Sequence, residues 1–309
     1  MKSFIDICKM TQSKLKTYLN AYLTSVGYNT TVGDGFVYAE GKVPVLLIAH
    51  MDTVHKEICK DIVEENGKIS SPQGIGGDDR CGCFMIMNIV KELKCSVLFC
   101  EDEEIGGVGA RKFVKSDVFD DVDVNYIIEF DRKGNNDAVF YNCDNKDFTS
   151  FVCDNTGLKE AYGSFSDISV IAPALGIAAV NMSCGYYNAH TTSEYVIIDE
   201  MMDIIEAAKA LIKTESDKFE YIAKKINYPV TKHNSVERDF DYGQMDLFHD
   251  RFFQDIKNNE LEVEVVWFDD FGVENSGCGV GMTKAEAWFD FFVSHPEVSM
   301  SMVEDYSFQ

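Results

Sequence analysis

His50 and Asp52 close an apolar run as a His-x-Asp pair. Gly76-Gly-Asp-Asp-Arg80, Glu101-Asp-Glu-Glu104, Phe130-Asp131 and Asn188-Ala-His190 supply more side chains of the same kind. Imidazole and carboxylate are donors for divalent cations, zinc above all, with manganese or cobalt accepted by mixed nitrogen and oxygen sets. The chemistry such residues could do is to ligate metal ions. Singly, each segment has an ordinary reading. A histidine at a strand end is commonly a satisfied structural group, Asp-Asp before Arg80 suits a turn capping a helix, and the run 101–104 suits a solvated acidic face. Jointly they differ. Carboxylates from three segments and two of only six histidines fall at the ends of successive apolar runs or in the loops between them.

Those runs are the elements that must position the chemistry. Residues 43–50, 95–101, 126–131 and 177–183 are continuously apolar, the pattern of strands covered on both faces. Helical spacing fills the intervals at 83–93, 108–114 and 167–175. Alternating strands and helices predict an α/β fold: a three-layer, mainly parallel but mixed sheet with helices on both faces. In such sheets ligands bind beyond the carboxyl ends of the strands, where these side chains sit. An N-terminal helix is predicted over 4–25, ending at Gly27, and a long one over 199–225, stopped by Asn227-Tyr-Pro229. The texture then changes. Residues 1–228 read as the catalytic domain and 229–309 as a small acidic α+β appendage, with a strand over 261–267, a glycine-rich turn and a helix over 284–293.

The order His-x-Asp, Gly-x-Asp-Asp-x-x-Gly, Glu-Glu-x-Gly, Asp, His, spread over residues 48–195, resembles the co-catalytic di-zinc exopeptidases. Their superfamily has a tripeptidase and carboxypeptidase branch and a single-domain aminopeptidase branch. Gly185-Tyr-Tyr-Asn-Ala-His190-Thr-Thr-Ser-Glu194-Tyr-Val is most similar to the tripeptidase form of the last motif. The resemblance implies a zinc-exopeptidase-like fold and two divalent ions, zinc or else manganese or cobalt. Asp78 would bridge both, His50 and Asp131 would complete one site, and Glu104 and His190 the other. Asp52 would accept a hydrogen bond from the second ring nitrogen of His50, which period-two alternation permits. Glu103 would be the general base toward a metal-bridging water. The Asp78–Asp79 peptide would be cis. Asp79 and Asp167 would stand behind the ligands or face substrate, although Asp167 equally suits a helix N-cap.

The implied activity is peptide-bond hydrolysis, by an aminopeptidase acting on short peptides. N-acyl amino acids or small amides are the alternative substrates, and a non-catalytic binding protein on the same fold is the alternative from another class. The tripeptidase and carboxypeptidase branch carries a lid or dimerisation domain between its fourth and fifth ligands. Here helix and strand use up the interval from Asp131 to His190, so the chain is expected to lack that lid.

A net charge of −24 disfavours nucleic acid and anionic membrane as partners; it suits solubility and would also draw in cations. No apolar run approaches the roughly 18 residues of a membrane span. Asp6 and Lys9 interrupt any secretory pattern, and the ten cysteines are scattered through apolar segments as reduced core thiols would be. The expected compartment is the cytoplasm. Cys81 and Cys83 suit two positions on a starting helix, there being no second cysteine or histidine pair for a thiolate site. Gly277-Cys-Gly-Val-Gly281 lacks the ending of a phosphate loop and reads as a strand-to-helix turn capped by Thr283. His55 is expected at the surface, and His233, His249 and His295 show no ligand spacing.

Overall fold

The computed structural model describes residues 2–224 and the backbone of three strands beyond them, Leu261–Phe268, Glu274–Gly281 and Val303–Phe308. In chain order, α1 (Lys2–Cys8) and α2 (Gln12–Ser25) precede β1 (Thr30–Gly33), β2 (Phe36–Ala39), β3 (Val43–His50), β4 (Val63–Glu65) and β5 (Lys68–Ser70). Then come α3 (Gly77–Ile89), β6 (Cys95–Cys100), α4 (Val108–Val114), β7 (Tyr126–Arg132), β8 (Asp137–Val139), α5 (Lys146–Thr156) and β9 (Lys159–Ala161). α6 (Ile168–Leu175), β10 (Ala179–Ser183), β11 (Tyr186–Tyr187), β12 (Tyr195–Ile197) and α7 (Ile198–Lys213) follow.

The apolar runs form the centre of an eight-stranded sheet ordered β1-β2-β6-β3-β7-β10-β8-β9. β6, β3, β7 and β10 run parallel, while β2 and β8 join them antiparallel, so the sheet is mixed. Alternation along β3 divides the core. Val45, Leu47 and Ala49 meet the cluster fed by α1, α2, α3, α5 and α7, and Leu46 and Ile48 meet the cluster fed by α4 and α6. Helices therefore cover both faces. Because the central strands are parallel, the polar residues that follow them emerge along one edge. A second sheet, β11-β12-β5-β4, ties the segment leading to α3 to the segment around His190. Between Asp131 and His190 the chain forms β8, α5, β9, α6, β10 and β11.

The chain divides into two compact units, Met1–Tyr228 and Pro229–Gln309. In the second, β13 (Leu261–Phe268), β14 (Glu274–Gly281) and β15 (Val303–Phe308) form an antiparallel sheet with β13 central. Among the described residues no helix is long and apolar enough to cross a membrane.

Several local expectations change. The helix predicted over 4–25 is broken after Cys8, because the Thr11 hydroxyl accepts the Lys14 amide and starts a new helix as its N-cap. The helix predicted to reach 225 stops at Lys213, and Thr214 is extended. The following chain bridges Ile177 through Glu220 and Cys143 through Ala223, and Phe219 packs among Tyr126, Phe148 and Phe151. Burial of that ring on the sheet outweighs continued helix, a tertiary override of local propensity. The glycine-rich segment 277–281 is strand rather than turn, paired residue by residue with β13. α3 begins at Gly77, earlier than expected. Thr283, the helix predicted over 284–293, His233, His249 and His295 lie outside the described residues.

Gly82 sits inside α3, where alanine is normally about 1 kcal/mol better than glycine. Here a Cβ would collide with the Phe130 carbonyl and the Asp79 carboxylate. Gly82→Ala is therefore expected to destabilise the protein by roughly 1–3 kcal/mol, read as a lower urea midpoint.

Candidate metal centre

The site is assembled from the ends of β3 and β7, the start of α3, the loop after β6 and the turn after β11. The first turn of α3 departs from helical geometry at Asp78 (φ −81°, ψ 100°) and Asp79 (φ −121°, ψ 50°), and the peptide between them is cis. The two neighbours face different ways. Asp79 is fully buried, and its oxygens accept the amides of His50 (3.3 Å) and Gly82 (2.8 Å), so it is closed off from solvent. Asp78 presents Oδ1 to His50 Nε2 at 3.1 Å and Oδ2 to His190 Nε2 at 3.2 Å.

Asp131, at the end of β7, brings Oδ1 to 3.4 Å from His50 Nε2, and Glu104 brings Oε2 to 3.1 Å from His190 Nε2. Two donor triads result, His50–Asp78–Asp131 and Asp78–Glu104–His190. In each, the potential ligand atoms lie within 4.8 Å of one another, and both use Asp78. Glu103 Oε2 is 4.0 Å from His50 Nε2. The side chain of His190 is 55% exposed while that of His50 is wholly buried, so the centre opens on the His190 side.

Asp52 Oδ1 lies 3.2 Å from His50 Nδ1, and the same carboxylate accepts the amides of Glu103 and Glu104, each at 3.0 Å. One side chain thus orients an imidazole and holds the acidic loop. Asp131 accepts from Ser166 Oγ at 3.0 Å and from the Tyr186 hydroxyl at 3.3 Å, while Asn181 receives its amide and donates to its carbonyl. Ser166 also contacts Glu129. Asp167 occupies the N-cap position of α6, but its side chain makes no capping bond.

Glu194 was not singled out as a site residue, although it lies one helical turn's length beyond His190 in the motif. It is fully buried, accepting the amides of Gly76 (2.9 Å) and Asp78 (3.0 Å) and pairing with His55 Nε2 at 2.8 Å. It therefore ties the His190 turn to the backbone that carries Asp78. His55, expected at the surface, is nearly buried in this contact, its ring seated where Gly74 (φ 87°) has no Cβ. Glu129, Ser166, Asn181 and Tyr186 were missed as well, since their ordinary spacing carries no metal-site signal.

The electrostatics test whether cations fit. Burial pushes the Glu103 carboxyl up to about 9, with Asp131 adding to the rise and His50 opposing it. Burial and then Asp78 raise Asp131 to about 6. Burial also raises Asp167 to about 7. Hydrogen bonds to Asp78 and Glu104 raise His190 to about 10. Burial opposes a charged His50, but Asp131, Asp52 and Asp78 outweigh it and hold the imidazole well above its usual range. Burial likewise works against Asp78, yet the two imidazoles keep its carboxyl below the ordinary range. Glu104 Oε1, Glu129 Oε1 and both Asp167 oxygens are buried without a hydrogen-bond partner. Two imidazoles cannot balance this many carboxylates. A pair of divalent cations, taking nitrogen and oxygen donors from the triads, fits the deficit.

The fold is that of known aminopeptidases and tripeptidases. Aminopeptidase PepT from Bacillus cereus superposes with a TM-score of 0.57 at 16% identity, over 68% of this chain and 96% of that one. A tripeptidase from Staphylococcus aureus gives 0.56 at 15%, over 69% and 96%. An aminopeptidase from the archaeon Desulfurococcus kamchatkensis gives 0.53 at 14%, over 70% and 96%. No protein-family model and no curated protein matches the sequence.

Glu194→Gln replaces an acceptor with a donor facing two amides and an imidazole. It is expected to weaken divalent-metal affinity roughly 10–100-fold, measured by calorimetric titration with zinc or manganese. The protons held on His190, His50 and Glu103 must leave when cations enter. Apparent metal affinity should therefore keep rising with pH up to the range of about 9 to about 10 where Glu103 and His190 give up their protons, with net proton release below it seen as a dependence of the titration heat on buffer ionisation.

Proposed function

We propose that this chain is a two-metal peptidase that removes residues from the amino end of short peptides. The observation that supports it is the pair of donor triads sharing Asp78, with Glu103 beside them. His50, Asp78 and Asp131 would hold one divalent cation, and Asp78, Glu104 and His190 the other. Zinc suits these donors, and manganese or cobalt would be accepted. When bound, such ions polarise a scissile carbonyl and acidify water.

The protein's own groups divide the remaining work. Glu103 takes the proton of the attacking water on its carboxylate and returns it to the leaving amine. Its near-burial against His50 keeps that proton from bulk solvent. Asp52 holds the His50 ring with Nε2 toward the triad and fixes the backbone of Glu103 and Glu104. The chain as a whole carries −24. That field favours a substrate with a free ammonium over an N-acyl amino acid, which has a carboxylate and no ammonium. The likeness in fold to aminopeptidases and a tripeptidase supports a peptide substrate. Residues 1–228 are the catalytic unit in this reading, a cytoplasmic enzyme, with 229–309 an accessory region.

The protein loaded with zinc or manganese should release amino acids from short peptides and aminoacyl anilides, and lose that activity to a chelator. Glu103→Gln should lower turnover at least about 100-fold while elemental analysis still finds both metals. Unchanged turnover in that variant would remove the mechanism. Preferential cleavage of N-acetyl amino acids would replace the peptidase reading with a deacylase.

A further inference from the structure

The loop that carries Glu103 and Glu104 is held from two sides, and only one side belongs to the site described above. Asp52 accepts the amides of both residues. On the other side lies α2. Asp102, immediately before Glu103, has a left-handed φ of 60°, a conformation that L residues other than glycine adopt seldom and that needs support from its surroundings. The Asp102 carbonyl accepts the Val108 amide at 3.1 Å, and one side chain supplies the rest. Gln12 Nε2 donates to Asp102 Oδ1 at 2.9 Å, and the Asp102 amide donates to Gln12 Oε1 at 3.4 Å. One turn further along α2, Lys16 Nζ reaches Glu101 Oε2 at 2.5 Å and the Gly33 carbonyl at 3.0 Å.

α2 is a firm base for such contacts. Leu15, Leu19 and Leu23 are fully buried in the core, and the Thr11 cap sets where the helix begins, which places Gln12 in its first turn. Lys16 and Glu101 form a largely buried pair that holds the end of β6, one residue before Asp102. Gln12 is different in kind. It grips both the amide and the side chain of a single left-handed residue, and so sets the direction in which the chain enters Glu103.

We infer that Gln12 is a positioning residue for Glu103, acting through Asp102. The inference rests on Glu103 being the proton acceptor proposed above, but the clamp itself can be read without turnover. Losing it leaves Asp102 held only through its carbonyl, by the Val108 amide, and loosens the direction of the Glu103 carboxylate. His50, Asp78, Asp131 and His190 lie on other segments and remain as they were, and Glu104 stays tied to Asp52 through its own amide.

The test uses the full-length protein loaded with zinc, and compares Gln12→Ala, Gln12→Glu and Gln12→Glu combined with Asp102→Asn. Gln12→Ala should lower kcat about 10–100-fold with little change in KM or bound metal, since small displacements of a catalytic group carry losses of that order. Gln12→Glu places two carboxylates against each other and should be at least as impaired. Adding Asp102→Asn lets the asparagine amide and the backbone amide both donate to the new carboxylate. It should recover most of the lost kcat, a reversal that a general loss of stability would not show. In parallel, hydrogen exchange of the 103–104 amides should quicken about tenfold in Gln12→Ala and return toward the wild-type rate in the double variant. If kcat and exchange in Gln12→Ala stay within twofold of wild type, or the double variant recovers neither, the inference is overturned. Were the wild-type protein itself inactive on peptides, the proposed function would fail, and the exchange rates alone would decide whether the clamp exists.

Discussion

The structure turns on one carboxylate placed between two imidazoles. Asp78 Oδ1 meets His50 and Oδ2 meets His190, at 3.1 and 3.2 Å. His50 belongs to a central buried strand, and His190 to an exposed turn far along the chain. Nothing local brings them together. Asp78 reaches both because the start of α3 is bent out of helical geometry, with Asp79 folded back onto the amides of His50 and Gly82. Glu194 then fastens the His190 turn to that same stretch of backbone. The bend and the fastening are one device. Without Asp79 turned inward, Asp78 would lose one hold on its direction; without Glu194, the His190 turn would keep the β12–β5 pairing but lose its direct tie to the Asp78 backbone.

The parts of this arrangement that could be read in advance are those whose signal is local. Four apolar runs ending in polar residues foretold the parallel strands and the edge at which the chemistry gathers. The His-x-Asp spacing foretold the contact between Asp52 and His50, since alternation along an extended chain leaves little choice of side. What escaped reading depends on tertiary partners. Glu194 and Asn181 look like any polar residues of a loop or strand, and only the folded chain shows the amides they receive. Lys213 ends α7 because Phe219 has an aromatic cluster to join, a fact that helical spacing over 199–225 conceals. His55 looked like a surface residue because the opening left by Gly74 is invisible in sequence. Gln12 carried no signal at all. Its partner is ninety positions away, and its importance follows from the backbone angle of Asp102.

The concentration of acid at this edge is itself an argument about what the edge is for. Asp78, Asp79, Glu129, Asp167 and Glu194 are buried, and Asp52, Glu103, Glu104 and Asp131 nearly so. Removing carboxylates from water works against folding unless each finds compensation. Glu194 and Asp52 each find it in two backbone amides and an imidazole. Asp79, Glu103, Asp131 and Asp167 find less, and burial accordingly drives their carboxyls upward until protons take the place of counter-charge. A solvated acidic face would show neither burial nor such shifts. A purely structural role would be served as well or better by apolar side chains, which often match or exceed a buried ionic cluster in stability. Protons and divalent cations compete for the same oxygens and ring nitrogens, so cation binding and the acid–base state of the edge are a single equilibrium. Read that way, the unpartnered oxygens and the raised carboxyls stop being separate oddities. Both follow from a donor set whose charge is matched to something more positive than two histidines.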